Sequence, residues 1–355
     1  MGSRGEAEGP GDCIRGVAKR VDQGRVHIGP SAADEPGGGE RGDDAAGGFA
    51  DEHGDVSHTV DRLAVGGRYA ALAERRKRLV EYIERIASEL LSGGRGGENR
   101  GAFRLAELRK KQARALLSLC RRKKLKAAVN FQLRHAPCIA AARRLIEAGE
   151  IGEVHDMEVR VTVYMPWHLW TFLEGIPRME ILYHSIHYVD LIRSFLGEPR
   201  GVCATTVKHP KMMKLASART NIALDYGDVL RANITTNHGH EFGRRHQESY
   251  VKWEATRGAI KSQLGLLLNY PRGEPDALEI CRLDAAGKPG PWEPVPFEGT
   301  WYPHAFIETM AEVIRFAEGR SSGLSTGVDD AFKTMAVVEA AYESSAHGST
   351  PIPQA

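Results

Sequence analysis

Apolar positions recur with helical spacing in two places early in the chain. Leu79, Ile83, Ile86 and Leu90 fall at i, i+4, i+7 and i+11, which predicts a helix over 69–92 closed by Gly93-Gly94. Leu105, Leu108, Ala115 and Leu119 line one side of a second helix over 103–123. From about Leu125 the texture changes. Lys126 to Phe131 reads as a short buried strand, and Pro137 to Gly149 as an amphipathic helix stopped by glycine. Val154 to Met165 alternates apolar and polar residues, as a half-buried strand does. Pro177 to Leu196 reads as a helix with proline near its start and Gly197 past its end. Strand-like runs follow over 201–209, 221–226, 229–238, 250–256, 259–268 and 277–283, and two helices close the chain near 303–318 and 328–345. The order predicts an α+β fold, an open and largely antiparallel sheet with helices on one face. The other face of so large a sheet also needs cover, which predicts a second domain or a second subunit.

Charge divides the chain into three parts. Residues 1–60 carry 6 basic and 12 acidic side chains, a net of −6; residues 61–126 carry 19 and 7, a net of +12; residues 127–355 carry 23 and 27, a net of −4. The first part is rich in glycine and acid and has no sustained apolar period, so it is expected to be disordered. Residues 61–124 are expected to form a basic helical segment in place of a Rossmann domain, and the folded α+β domain to span 125–355. Nucleic-acid binding by the basic helices is not expected, because no stacking aromatics accompany the charge. Five scattered cysteines without a CxxC pair argue against a zinc knuckle or a disulfide framework. No apolar run reaches membrane-spanning length and no signal-like leader is present, so a cytoplasmic protein without membrane contact is expected. Gly37 to Gly42 formally matches GxGxxG, but its flanks are neither strand nor helix.

Three clusters carry possible chemistry. In the first, Glu180, His184 and His187 share one face of the predicted helix, with Tyr183 and Asp190 on the adjoining one. A metal site, histidines satisfied inside a helix–sheet interface, and acid/base catalysis are all open readings. No further ligand is positioned by the sequence, so no metal is expected. The second cluster, Trp167, His168 and Trp170, follows a strand and suits a pocket wall. In the third, His238 and His240 stand two apart at a strand end and share a face if the strand continues. Asn130 and Arg134 stand at and just after the end of the first predicted strand, where α/β folds place ligand contacts.

From about Ala115 onward the chain resembles the Gfo/Idh/MocA oxidoreductases. The resemblance rests on the passage running into EAGEIGEV, on HSIHYVDLIRSFLGEP and WEATRGAIK, and on the closing segment DDAFKTMAVVEAAYESSAHGSTPIP. It implies an N-terminal Rossmann domain holding NAD or NADP, a C-terminal sheet domain that binds a sugar or polyol and forms a homo-oligomer such as a dimer, and hydride transfer between the two. By position His187 matches the family's catalytic histidine and Asp190 the acid three residues later. Tyr183 stands where the family has an aspartate, and His184 lies beside it. His187, Tyr183 and His184 are therefore the expected catalytic set. Asn130, Arg134, Trp167, His168, Asp190, His238 and His240 are the expected substrate contacts.

The Glu-Lys-Pro motif and the strand–GxGxxG–helix start are absent from this sequence. Cofactor binding and activity are accordingly not expected of the chain as written. A shifted reading frame up to about residue 112 would explain the abrupt join, and translating the coding DNA in its other frames checks it. The alternative is a non-enzymatic dimeric scaffold whose basic helices meet nucleic acid or an acidic partner.

Overall fold

The computed structural model describes residues 100–352, with side chains from residue 111 onward except that of His168. The expectations for 1–60, for the helix over 69–92 and for Gly37–Gly42 lie outside the described residues. No described helix is long and apolar enough to cross a membrane.

Eight strands form one sheet: β1 (Val154–Thr162), β2 (Gly201–Val207), β3 (Arg219–Asp225), β4 (Arg231–Asn237), β5 (Glu248–Ala255), β6 (Gly258–Gln263), β7 (Ala277–Leu283) and β8 (Pro289–Pro294). Their spatial order is β2-β3-β4-β1-β5-β6-β7-β8, and only β1 and β4 run parallel. The helices are α1 (Arg100–Lys123), α2 (Pro137–Glu147), α3 (Ile186–Leu196), α4 (Trp301–Ala317) and α5 (Val328–His347). The open, largely antiparallel sheet with helices is thus the observed architecture.

Period-two alternation sends one set of side chains into the core. Register stacks that set into rows across the sheet. One row runs Leu224, Ala232, Met157, Trp253, Ile260 and Ile280, and the next runs Ile222, Ile234, Val159 and Val251. These side chains are at most 4% exposed, so both rows are core. The following row contains Thr220, Thr236, Val161 and Ser249. Polar groups therefore enter the core face at the C-terminal ends of β1 and β4, and the candidate site stands over them.

The opposite face is charged. Arg160 meets Glu248 at 2.5 Å and Lys252 meets Glu254 at 2.7 Å. Both sheet edges are blocked. Ser344 and Ser345 of α5 accept the N–H groups of Ala204 and Thr206 on β2, and β8 begins and ends in proline.

Two predicted elements differ. Lys126–Phe131 is not a strand, because its only pairing is the isolated bridge Ala128–Gly327. The predicted helix over 177–196 begins late. Its first segment, Ile181–Ser185, is a wide π turn, and regular helix starts at Ile186. Contacts from outside hold the wide turn: Tyr342 Oη accepts the Leu182 N–H at 3.1 Å, and Ser217 Oγ accepts the Glu180 N–H at 3.2 Å.

Gly152, in the EAGEIGEV passage, has φ +78°, and a Cβ there would lie 2.4 Å from Thr256 Oγ1. Gly152→Ala is expected to cost about 1–3 kcal/mol from the backbone conformation and the collision. Chemical denaturation measures this, and a loss below ~0.5 kcal/mol would show that the turn yields freely.

Candidate functional site

Glu180 is fully buried at the start of the π turn. An isolated carboxylate in that position would be costly, so it must be partnered. The Ser185 hydroxyl donates to Oε1 at 2.8 Å, Thr236 Oγ1 donates to Oε1 at 2.9 Å, and His238 Nε2 lies 3.1 Å from Oε1. Burial alone would raise the Glu180 carboxyl, but the hydrogen bond and charge of His238, with Thr220 and Ser185, outweigh it and hold the group below its usual range. The polar row of the sheet thus provides the floor on which Glu180 stays ionised.

An imidazole and indole cluster sits on that carboxylate. Trp167 stacks on His238 with ring centroids 4.2 Å apart, and His184 meets His238 edge-on, also at 4.2 Å. Tyr188 closes against His184 at 5.3 Å. His187 lies one step out, with its ring edge against Phe131 at 5.9 Å. His184 and His187 are half-buried, whereas His238 is fully buried. The Nδ1 atoms of His184, His187 and His238 are all buried without a protein hydrogen-bond partner. Buried polar atoms are normally paired, so these three are the unsatisfied groups of the cluster.

Burial lowers the pKa of both half-buried histidines. His187 falls to about 4, and His184 lies well below its usual value because the neighbouring His238 and His187 add to the effect of burial. Both rings are neutral near pH 7, the form that accepts a proton. In the unfolded chain each imidazole protonates near pH 6.5. Between that point and the folded value the unfolded state binds more protons, so stability falls as pH drops. For His187 the window is 6.5 down to about 4. Denaturation midpoints measured across it are expected to decline steadily, and less steeply in His187→Asn. An unchanged slope in the variant would assign the loss to other groups.

Trp167, His184, His187 and His238 of the expected set are brought together. His238 is covered by Trp167 and His184, so it meets a ligand only through them. Tyr183 points outward at 46% exposure, and Asn130 is exposed as well. His240 packs on Phe242 at 5.6 Å instead of sharing a cluster with His238, because the strand ends at Asn237 and the alternation stops. The side chain of His168 lies outside the described residues.

Arg134 and Asp190, both among the expected substrate contacts, grip one another. Arg134 Nε and Nη2 donate to the two carboxylate oxygens of Asp190, each at 2.6 Å. They position the first helical turns of α3 against α5. The helical face read from the sequence put Glu180, His184 and His187 together. His187 stays beside His184 but does not join Glu180, and β4 supplies His238 there. The sequence reading missed the Ser185, Thr236 and Phe131 contacts. The readable signal was the polar pair Thr220 and Thr236 in otherwise apolar core positions.

The described residues do not fit a dinucleotide. Of the helices whose preceding residues are described, α2 follows Ala136, α3 follows the π turn, α4 follows Gly299-Thr300 and α5 opens with the acidic pair Asp329 and Asp330, so none of these four offers a glycine-rich strand-to-helix turn to a pyrophosphate.

Residues 139–261 match the GFO/IDH/MocA C-terminal domain. A D-apiose dehydrogenase of Rhizobium rhizogenes is 26% identical over 254 residues, 67% of each chain. An oxidoreductase from Agrobacterium radiobacter, solved with NAD+, L-tartaric acid and magnesium, superposes with a TM-score of 0.53 at 23% identity over 68% of each chain. The aldose-aldose oxidoreductase of Caulobacter crescentus, solved with glycerol, gives 0.52 at 17% identity, also over 68% of each. The domain match over residues 139–261 and the fold shared with these solved oxidoreductases make the described domain similar to the C-terminal domain of the Gfo/Idh/MocA oxidoreductases.

Proposed function

We propose that the described domain is the substrate side of a sugar or polyol oxidoreductase, with His187 as the proton acceptor for a substrate hydroxyl and His184 as its neighbour in hydroxyl binding. The carrying observation is the pair of half-buried, neutral imidazoles whose Nδ1 atoms lack protein partners. A polyhydroxyl ligand supplies donors of the right kind to such atoms. The name of the Rhizobium relative, a dehydrogenase of a sugar, agrees with this reading.

On this reading Trp167 and Phe131 fix the histidine rings from behind. The Arg134–Asp190 pair holds the helix that carries His187, and is therefore a positioning pair. Tyr183, exposed beside this face, takes a proton only if a ligand or a second domain covers it. The charged outer face of the sheet is the proposed homo-oligomer surface. Hydride chemistry calls for NAD or NADP. Because no strand–GxGxxG–helix start is read in the sequence before residue 112, the chain alone is expected to bind sugar without oxidising it.

Titration calorimetry of the purified chain with pentoses, hexoses and cyclic polyols tests this. One of them is expected to bind in the millimolar range, and His187→Asn to weaken it by about tenfold, the equivalent of one hydrogen bond. NADH and NADPH, followed by energy transfer from tryptophan, are expected to show no saturation. If no carbohydrate binds, the substrate assignment fails. Saturation by a nicotinamide would restore a complete dehydrogenase.

A further inference from the structure

We propose that Glu180, His184 and His238 form a site for a divalent transition-metal ion, zinc by preference. The ligand atoms that these three side chains offer lie within 4.8 Å of one another. Two imidazoles and a carboxylate are a donor set suited to Zn²⁺, and three protein ligands leave a position open for water or another oxygen ligand.

The closest pair already has ligand-like spacing. His238 Nε2 and Glu180 Oε1 are 3.1 Å apart. Two ligands of a tetrahedral zinc with bonds of 2.0–2.1 Å stand about 3.3 Å apart. His184 completes the set within the same 4.8 Å, half-buried and packed against His238 and Tyr188.

A second observation points to a ligand independently of the spacing. The Nδ1 atom of His184 is buried without a hydrogen-bond partner. Ser185 donates to both carboxylate oxygens of Glu180, at 2.8 and 3.0 Å, and Thr236 to one. These are the outer-shell bonds that orient a ligating carboxylate. Trp167 lies over His238 and fixes the plane of its ring. His187, which the sequence pattern grouped with Glu180 and His184, is not among the three.

The test uses the full chain, stripped with a chelator and titrated with Co²⁺ and then with Zn²⁺. One equivalent of Co²⁺ is expected to give the strong visible bands of four- or five-coordination, and Zn²⁺ to bleach them. His184→Ala and His238→Ala are expected to weaken binding at least ~100-fold, because losing a ligand costs more than losing an outer-shell partner. His246→Ala, at an exposed position, is expected to bind as the parent does. Circular dichroism reports whether His238→Ala folds. His184→Ala decides the matter if it does not, since that ring is only half-buried. Absence of the strong bands in the parent overturns the proposal and leaves a hydrogen-bonded Glu–His pair. Bands that survive in a folded His184→Ala overturn it as well. No sugar or nicotinamide is present, so the result is independent of the substrate reading.

Discussion

Asp190→Ala is expected to destabilise the domain by about 3–5 kcal/mol, the cost of breaking a buried ion pair from one side. Asp190 is 1% exposed and receives two bonds from Arg134 and one from Thr334 Oγ1 at 2.9 Å. Arg193, 5% exposed, sits 3.9 Å away and is shared with Glu198 and Asp330. Removing the carboxylate leaves Arg134 with Asp330 and the Ser325 carbonyl as its acceptors, and takes one counter-charge from beside Arg193. Two guanidinium groups then face low-dielectric surroundings with less charge to balance them. Asp190→Asn keeps one acceptor but not the charge, and should lose less. Guanidinium denaturation, compared at constant m-value, reads both. A loss below ~1 kcal/mol for the alanine variant would mean that Asp330 takes over the pair.

Glu180→Ala in the metal-free protein is the second large effect, again about 3–5 kcal/mol. The cause differs. Here three partners, Ser185 Oγ, Thr236 Oγ1 and His238 Nε2, lose a single acceptor, and none of them reaches solvent. The π turn also loses the side chain that ties its first residue to its last through Ser185. Glu180→Gln keeps an oxygen acceptor of nearly the same shape and is expected to cost only about 1–2 kcal/mol. Equal losses in the two variants would show that the charge matters and the hydrogen bonds do not. Thermal and chemical unfolding of both variants, with and without Zn²⁺, separate this stability from metal affinity.

Much of the fold was legible because it depends on local period. The alternation around Met157, Val159 and Val161 made β1 readable, and the proline, the apolar spacing and the terminal glycine did so for α2. The Lys126–Phe131 segment shows the limit of this reasoning. It has strand composition, but β-structure needs a neighbour, and here only Ala128 finds one. The π turn shows the same limit for helices. Its width is set by Tyr342 and Ser217, which are remote in sequence.

The candidate site divides in the same way. The residue types, the neighbouring pair His184 and His187, and the likeness to an oxidoreductase family were all present in the sequence. Which histidine meets Glu180 was not. His238 lies 58 positions away, and it arrives because β4 lies parallel to β1 in the register that puts Thr236 beside Val161. Arg134 and Asp190 are 56 positions apart, and their pairing appears only once their elements pack. Periodicity and composition are properties of neighbouring residues, so the sequence by itself determined the elements, their exposed and buried faces and the kind of chemistry available. Strand order and register are cooperative properties of the whole sheet. Only the tertiary structure decided which polar groups share a buried space, which of them satisfy one another, and which are left to bind something else.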